Sequence, residues 1–378
     1  MLRPPATLAV IGGGQLGRMF VQAAQRLGYR AIVLSETEDG PAAQVAHDAI
    51  VSPPDHLPGL LALADAAEGI TVEFENVSAP ALRWLARRRL VRPGWRTVWV
   101  SQNRLREKSF LARHGLPLAR WCPVLSAGDL ADAPGRVGLP LILKTAASGY
   151  DGKGQVRVDR ADDLATAWAS LRRVACVAEG WVSFAAEVSV VAVRGADATA
   201  LAFPVALNRH ERHILDATLM PAPVGPIVAQ EARGLALAVA EALGTVGVLT
   251  VEFFLTAEGE LTINELAPRP HNSGHLTIEA GVSSQFEAQV RALCGLPLGG
   301  TDLVTPAAMV NLLGDLWSGG EPDWGRALAA DPGVKLHLYG KGDAAPGRKM
   351  GHLTVLDPNP SHALARALEA RARLVRRP

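Results

Sequence analysis

Val251-Glu252-Phe253-Phe254-Leu255 and Leu261-Thr262-Ile263-Asn264-Glu265, joined by Thr256-Ala257-Glu258-Gly259-Glu260, form the stretch on which the reading of this chain turns. Both ends are rich in β-branched and aromatic residues, and Glu258-Gly259 suits a tight hairpin turn. A two-residue loop there sets Ala257 against Glu260, Leu255 against Thr262 and Glu252 against Glu265. Two carboxylates then leave one face of the ribbon with Cβ atoms roughly 5 Å apart. Flanking Phe, Leu and Ile lower the local dielectric and deepen their repulsion. A divalent cation removes it, and hard oxygen ligands in a partly hydrated site favour Mg²⁺ beside a nucleotide phosphate. An amphipathic hairpin with a solvated acidic edge fits the same residues. A one-residue slip sends the two Glu to opposite faces.

Around this hairpin lie 378 residues, enough for two or three domains with buried cores. Hydrophobic content of 48% and charged content of 20% describe a soluble globular protein, without an apolar run of membrane-spanning length. The start, Met1-Leu2-Arg3-Pro4-Pro5, is not a signal sequence. Cys122, Cys176 and Cys294 are scattered without paired spacing, which predicts reduced thiols in the cytoplasm and no metal cluster. The net charge of +1 gives no global pull toward nucleic acid or membrane. Arg87-Arg88-Arg89 and the tail from Arg371 to Arg377 read as solvated helix surface.

The first hundred residues alternate. An apolar run at 7–12 ends in Gly12-Gly13-Gly14-Gln15-Leu16-Gly17, a helical pattern follows through Met19, Phe20, Ala23, Ala24 and Leu27, and 31–34 reads as a second strand. This is βαβ, so a parallel sheet opens the chain. Ile70 to Phe74 is a further strand, followed by a helix through Ala81 and Leu85. The alternation stops near Ser101-Gln102-Asn103-Arg104, a domain boundary. A helix follows over 105–114, then strands with a glycine-rich insertion over 141–158, a helix near 162–173, and strands at 174–178 and 187–193. Strands at about 199–206 and 247–255 flank a helix near 229–243. Past Gly299-Gly300 the chain reads as a smaller β-rich piece with strands at 308–313 and 334–339.

Gly12-x-Gly14-x-x-Gly17 after a strand, with Glu36 some way on, fits a dinucleotide fingerprint. The same loop suits a substrate's monophosphate at a helix N-terminus, or tight helix–strand packing. Leu141-Ile142-Leu143-Lys144 runs into Gly149-Tyr150-Asp151-Gly152-Lys153-Gly154-Gln155, which suits a mobile flap over nucleotide phosphates with Lys144 as point cation. A surface hairpin whose glycines serve turn geometry is the alternative. Glu179-Gly180-Trp181-Val182 can present backbone groups to adenine, with Glu187 accepting from ribose hydroxyls. Pro268-Arg269-Pro270-His271-Asn272-Ser273-Gly274-His275 is polar beyond what a connection needs and suits anion contacts beside Glu265 better than metal ligation. Lys341, Arg348, Lys349 and His352 make a last basic loop, or an exposed charged turn.

Together these segments resemble the ATP-grasp superfamily, and within it the 5-(carboxyamino)imidazole ribonucleotide synthases of purine biosynthesis. The resemblance runs in order from about residue 8 to 355, through GGGQLGRM (Gly12 to Met19), EFENV (Glu73 to Val77), GYDGKGQ (Gly149 to Gln155), NELAPRPHNSGH (Asn264 to His275) and GRKMGH (Gly347 to His352). It implies an α/β chain with an ATP-grasp fold: an N-terminal Rossmann-like parallel βαβ domain at 1–103, an ATP-grasp domain at 104–300 with a flap-bearing part at about 120–183, and a small C-terminal β-rich domain at 301–378. Carried over by motif, Arg104, Lys144, Gly149 to Gln155, Glu179 to Val182, Glu187, His210, Asn264 and Glu265 contact ATP. Glu252 and Glu265 hold Mg²⁺ or Mn²⁺. Gln15, Glu75, Asn272, Lys341 and Arg348 take aminoimidazole ribonucleotide, the last two suiting its 5′-phosphate.

The implied reaction turns ATP, bicarbonate and aminoimidazole ribonucleotide into ADP, phosphate and the N-carboxylated ribonucleotide through carboxyphosphate. Such transfer rests on positioning and charge neutralisation. Tyr150, Asp151, Lys153 and His275 are expected to orient bicarbonate and support proton transfer. The resemblance also implies a cytoplasmic homodimer. Ala146 and Ala147 stand where the family often has basic residues, Leu207 precedes Asn208 where Glu is common, and His213 takes a usual Gly position. Ala267 occupies the place of a third metal side chain in many ATP-grasp enzymes. A formate- or glycine-dependent sister ligase, a Rossmann oxidoreductase and a non-catalytic nucleotide-binding protein are the competing readings.

Overall fold

A computed structural model describes residues 1–147, 149 and 152–375. Three sheets carry the architecture. The first holds Thr7–Ile11, Arg30–Ser35, Asp48–Val51, Gly69–Val72 and Leu90–Val91, all parallel, with Thr7–Ile11 between the second and fourth strands. Both its faces are covered, as a parallel sheet requires. Leu8 and Val10 pack with Met19 and Phe20 of the helix Gln15–Arg26 and with Phe286, Val290 and Leu293 of the helix Gln285–Cys294. Ala9 and Ile11 face Leu60, Leu63, Leu82 and Leu85 on the other side. The chain order reverses beside Thr7–Ile11, so the crevice past its C-terminal end is where such a sheet takes a ligand.

The second sheet is antiparallel: Trp121–Val124, Cys176–Gly180, Leu141–Thr145 and Gln155–Val158 in spatial order. The helices Ala127–Val137 and Leu164–Ser170 cover it through Leu130, Ala133, Val137, Leu164 and Ala167.

The third sheet has nine strands, and the strands after residue 300 are continuous with it rather than a separate β-layer. Its order is Leu261–Ala267, Gly247–Leu255, Ala186–Arg194, Ala206–Glu211, Ile214–Met220, Ala307–Leu313, Lys349–Leu356 and Lys335–Leu338, with Ala200–Ala202 added beside Ala186–Arg194. The single strand expected at 199–206 is replaced by Ala200–Ala202 and the hairpin Ala206–Glu211/Ile214–Met220. That hairpin turns on Arg212 (φ 50°) and His213 (φ 64°), left-handed positions usually held by Asn or Gly. Lys349–Leu356 and the closing helix Pro360–Ala372 also escaped the sequence reading.

The opening hairpin differs from its expected form in register. Its loop has three residues, Ala257-Glu258-Gly259, with the Thr256 N–H bonded to the Glu260 carbonyl at 3.0 Å and Gly259 at φ 90°. Leu255 therefore pairs with Leu261 and Phe253 with Ile263, one residue off the expectation. A β-bulge then inserts Asn264 as an extra residue, and Glu252 pairs with Glu265 after all.

Candidate active site

The helix Arg104–Arg113 begins where Asn103 accepts hydrogen bonds from the N–H groups of Leu105 and Arg106. This cap aims Arg104 at the hairpin, and Arg104 donates to a Glu265 carboxylate oxygen at 3.1 Å. Lys144, at the end of its buried strand, donates to Glu179 at 3.1 Å and to the Asn264 side-chain carbonyl at 3.3 Å. Lys108 reaches the same Glu179 oxygen at 3.5 Å. Burial pushes the Glu179 carboxyl up, but Lys108, Lys144 and Arg104 outweigh it and hold it at about 2. Lys144 is itself lowered by burial against the pull of Glu179. Glu107, wholly enclosed, is raised by burial to about 8. Arg104, Lys108 and Lys144 thus gather around Glu179 and Glu265, an arrangement that suits an incoming polyphosphate.

The glycine-rich turn lies over this cluster. The Thr145 N–H donates to the Gly154 carbonyl at 2.8 Å, and a Cβ on Gly149 would sit 3.6 Å from the Arg104 guanidinium. Gly152, at φ 75°, meets His213 so closely that a Cβ would lie 2.5 Å from the His213 Cβ. Lys153 and Gln155 belong to the same turn and strand; Tyr150 and Asp151 lie outside the described residues. Of the segment expected to read adenine, the Gly180 N–H donates to Arg120 and the Trp181 N–H to Pro140. The indole of Trp181 carries the Arg157 guanidinium at 4.3 Å, and Val182 is half-buried.

Across the hairpin, Glu252 bonds His271 Nε2 at 2.9 Å, and His271 Nδ1 is held by the Ser273 hydroxyl at 2.9 Å. Burial raises the Glu252 carboxyl, yet His271, His210 and Arg269 together bring it well below the usual carboxylate range. Burial pulls His210 down, but Glu187, bonded to it at 2.7 Å, and Glu252 together bring it above the ordinary imidazole value. Glu252 and Glu265 fit a hard cation shared with phosphate oxygens, because both are partly exposed oxygen donors on one face. They do not fit a cage made by protein alone, since no group of three His, Cys, Asp or Glu among the described residues could hold a metal.

The fingerprint loop is filled from within. Glu73, 8% exposed, accepts from the Gly14 N–H at 2.6 Å and the Leu16 N–H at 3.2 Å. The donors that a dinucleotide pyrophosphate would need are occupied by a carboxylate, which argues against the oxidoreductase reading. Gln15 opens the helix between these two donors. Burial raises Glu73, while the backbone donors and Lys341 pull it down, so Lys341 stands within electrostatic reach of the loop. Lys341 Nζ donates to the Lys349 carbonyl at 2.7 Å, and Arg348, exposed, donates to the Asp343 carbonyl at 2.8 Å. Glu75 takes a two-pronged bond from Arg269, at 2.6 and 3.3 Å. Asn272 is buried, and neither of its amide atoms has a partner among the described residues, an arrangement that calls for a polar ligand.

His275 is placed apart from the carboxylate pair. The short turn Asn272–Gly274 sends it inward, 1% exposed, with its Nδ1 on Gln285 at 3.3 Å and its ring 5.1 Å from that of His352. Burial and the neighbouring cations keep it neutral. The histidine at the carboxylates is His271. Glu73 and Arg269, which lie in quoted motifs without an assigned role, and Glu107 and Lys108, which lie outside them, complete the site. The i, i+3, i+4 spacing of Arg104, Glu107 and Lys108 was the signal for two of them.

Comparison with known proteins covers nearly the whole chain. The description of a ribonucleotide synthetase preATP-grasp domain matches residues 6–102, that of an ATP-grasp domain 109–286, and that of a phosphoribosylaminoimidazole carboxylase C-terminal domain 307–366. The chain is 41% identical to an N5-carboxyaminoimidazole ribonucleotide synthase of Bacillus subtilis over 94% of its length and 93% of that protein. A Brucella melitensis protein of the same name is 43% identical, over 94% and 98%. Among solved structures, the ADP complex of an N5-carboxyaminoimidazole ribonucleotide synthetase superposes with a TM-score of 0.93 at 41% identity, covering 98% of this chain and 97% of that one. The Aspergillus clavatus synthase with ADP and 5-aminoimidazole ribonucleotide superposes with a TM-score of 0.88 at 32% identity, covering 97% and 99%.

Proposed function

We propose a residue-by-residue reading for a chain that belongs to the N5-carboxyaminoimidazole ribonucleotide synthases, an ATP-grasp family. The enzyme is an ADP-forming ligase that carboxylates 5-aminoimidazole ribonucleotide to its N5-carboxy derivative in purine biosynthesis. In this reading residues 1–103 wall the ribonucleotide pocket, 104–300 grasp ATP, and 301–378 close the pocket from the far side.

ATP lies between the four-stranded and nine-stranded sheets. Lys144 and Arg104 draw the polyphosphate in, while Gly149 to Gln155 fold over it and exclude water. Glu179 to Val182 border the adenine and Glu187 with His210 the ribose. Asn264 contacts the nucleotide, and Glu252 and Glu265 would hold Mg²⁺ or Mn²⁺ beside its phosphates; such a cation would neutralise charge on the transferred phosphoryl group. Bicarbonate is the carboxyl source, activated as carboxyphosphate, with Tyr150, Asp151 and Lys153 of the flap orienting it. Carboxyphosphate is short-lived in water, which makes a closing flap chemically necessary. His275 supports this end indirectly, because the Gln285 that bonds it also holds the His271 backbone through two hydrogen bonds of 2.8 and 2.7 Å.

Gln15, Glu75, Asn272, Lys341 and Arg348 surround the ribonucleotide. Lys341 and Arg348 take its 5′-phosphate and the unpartnered Asn272 amide its polar edge. Family resemblance supports a cytoplasmic homodimer, which sedimentation of the purified chain checks.

The observation that carries this reading is a pair of bonds that meet at the hairpin: Lys144 of the four-stranded sheet bonds Asn264 of the nine-stranded sheet, and Arg104 of the intervening helix bonds Glu265. A coupled ADP-release assay omitting each substrate in turn tests it. Release must need both bicarbonate and aminoimidazole ribonucleotide; equal release with glycinamide ribonucleotide and formate would overturn it.

A further inference from the structure

Three consecutive residues of the second hairpin strand are each held by one side chain of the helix Arg104–Arg113. Lys108 donates to the Asn264 carbonyl at 3.0 Å, Arg104 to the Glu265 carboxylate at 3.1 Å, and Glu107 accepts the Leu266 N–H at 3.0 Å. Leu261–Ala267 is the last strand of the nine-stranded sheet, and among the described residues only Pro117-Leu118 bridges its outer side, at Ile263, so the Asn264 carbonyl and the Leu266 N–H bond to side chains instead. Asn264 is the extra residue of the bulge. Lys108 and Glu107 therefore fasten the backbone on either side of Glu265, from positions that are each 1% exposed. If the turn-side register ran on unbroken, Glu252 would face Asn264 and Glu265 would point to the other face of the ribbon.

We infer that Glu107 and Lys108 are positioning residues that lock the bulge and thereby keep Glu265 opposite Glu252. The inference rests on the reading of those two glutamates as the cation-holding pair. Both residues act through the strand backbone: Lys108 fixes the Asn264 carbonyl and Glu107 the Leu266 amide. The clamp converts a hairpin whose turn specifies one register into one whose functional end adopts another.

The test uses the intact chain with ADP bound, Mn²⁺ as probe read by electron paramagnetic resonance, and hydrogen exchange at the Leu266 amide. Glu107→Leu keeps volume and removes the acceptor, Lys108→Met removes the donor, and Glu107→Gln keeps an oxygen for Leu266. The first two are expected to weaken Mn²⁺ binding about 10- to 100-fold and to speed Leu266 exchange, leaving the ribonucleotide KM unchanged. Glu107→Gln is expected to retain wild-type Mn²⁺ binding. Lys108→Met strips a cation from buried Glu179, and if it does not fold Glu107→Leu decides the matter. Wild-type Mn²⁺ affinity in Glu107→Leu, while Glu265→Gln loses the ion, overturns the clamp. So does a parallel loss of ion and ribonucleotide affinity with a lowered melting temperature, which marks general destabilisation. Full Mn²⁺ affinity in Glu265→Gln overturns the cation reading itself and the clamp's role with it.

Discussion

Glu252 and Glu265 face each other across a hairpin whose turn, left to itself, would pair Glu252 with Asn264. The facing carboxylates are thus a product of the bulge, and each is steadied by a side chain, the His271 imidazole on one side and the Arg104 guanidinium on the other. Glu265→Gln keeps the size and one oxygen but halves the negative charge of the pair. It is expected to cut ADP release by about 100-fold or more. Near-normal turnover would remove Glu265 from the cation site.

Lys341 and Arg348 are assigned to the ribonucleotide phosphate. Lys341→Ala and Arg348→Ala should each raise the ribonucleotide KM by roughly 10- to 100-fold, the worth of one charge-assisted hydrogen bond. The ATP KM should hold steady. Substrate-saturation curves for both ligands make the comparison, and a matching rise in the ATP KM contradicts the assignment.

Gly14 leaves room for the Glu73 carboxylate, since a Cβ there would stand 2.1 Å from its oxygen. Gly14→Ala should expel Glu73 from the loop, leave the Gly14 and Leu16 N–H groups without it, and cost about 1–3 kcal/mol. Urea unfolding reads this directly. Combined with Glu73→Ala, the two losses should be clearly less than additive, because both break the same bonds.

Gly152 and His213 form a second close approach, between the glycine-rich turn and the Ala206–Glu211/Ile214–Met220 hairpin. Gly152→Ala is strained by its φ of 75° and by collision with His213. Turnover should fall, and the double variant Gly152→Ala/His213→Gly should recover part of it by clearing the space. Steady-state kinetics of the three proteins suffice; no recovery would mean that backbone strain alone accounts for the loss.

Glu179 gives a pH signature. Its folded-state pKa, about 2, lies below the ordinary 4.5, so its pairing with Lys108 and Lys144 stabilises the fold above the ordinary value. That stability is lost as pH falls from about 4.5 toward about 2, and it amounts to at most about 3 kcal/mol. The penalty of Glu179→Gln should accordingly be full at neutral pH and shrink through that acid window in urea titrations. A penalty independent of pH would show that packing, not charge, accounts for it.

Much of this architecture was readable beforehand, and the exceptions have physical causes. The N-terminal βαβ pattern, the helix near residues 229–243 and the strand ending in Lys144 declare themselves through periodicity and glycine placement. The Ala206–Glu211/Ile214–Met220 hairpin does not, because Arg212 and His213 occupy left-handed positions without the usual turn residues. The Glu252–Glu265 pairing followed from assuming a two-residue loop, whereas a three-residue loop and a bulge shift the register twice and cancel. At the site, Glu73 lies dozens of residues from the loop it fills, and spacing cannot show that. His271 and His275 were indistinguishable as letters; only the Asn272–Gly274 turn sends one toward Glu252 and the other into the core.

The nine-stranded sheet bears on where this chain tolerates being cut. Residues 300 to 306 resemble an ordinary linker between modules, yet the strand beyond them, Ala307–Leu313, is laced to Ile214–Met220 along four residue pairs. A truncation or domain graft at that joint would bare an apolar strand in the middle of a sheet, a template for aggregation. Protein engineers seeking a fusion point should leave that seam alone and work past the helix Pro360–Ala372, where no strand is uncovered.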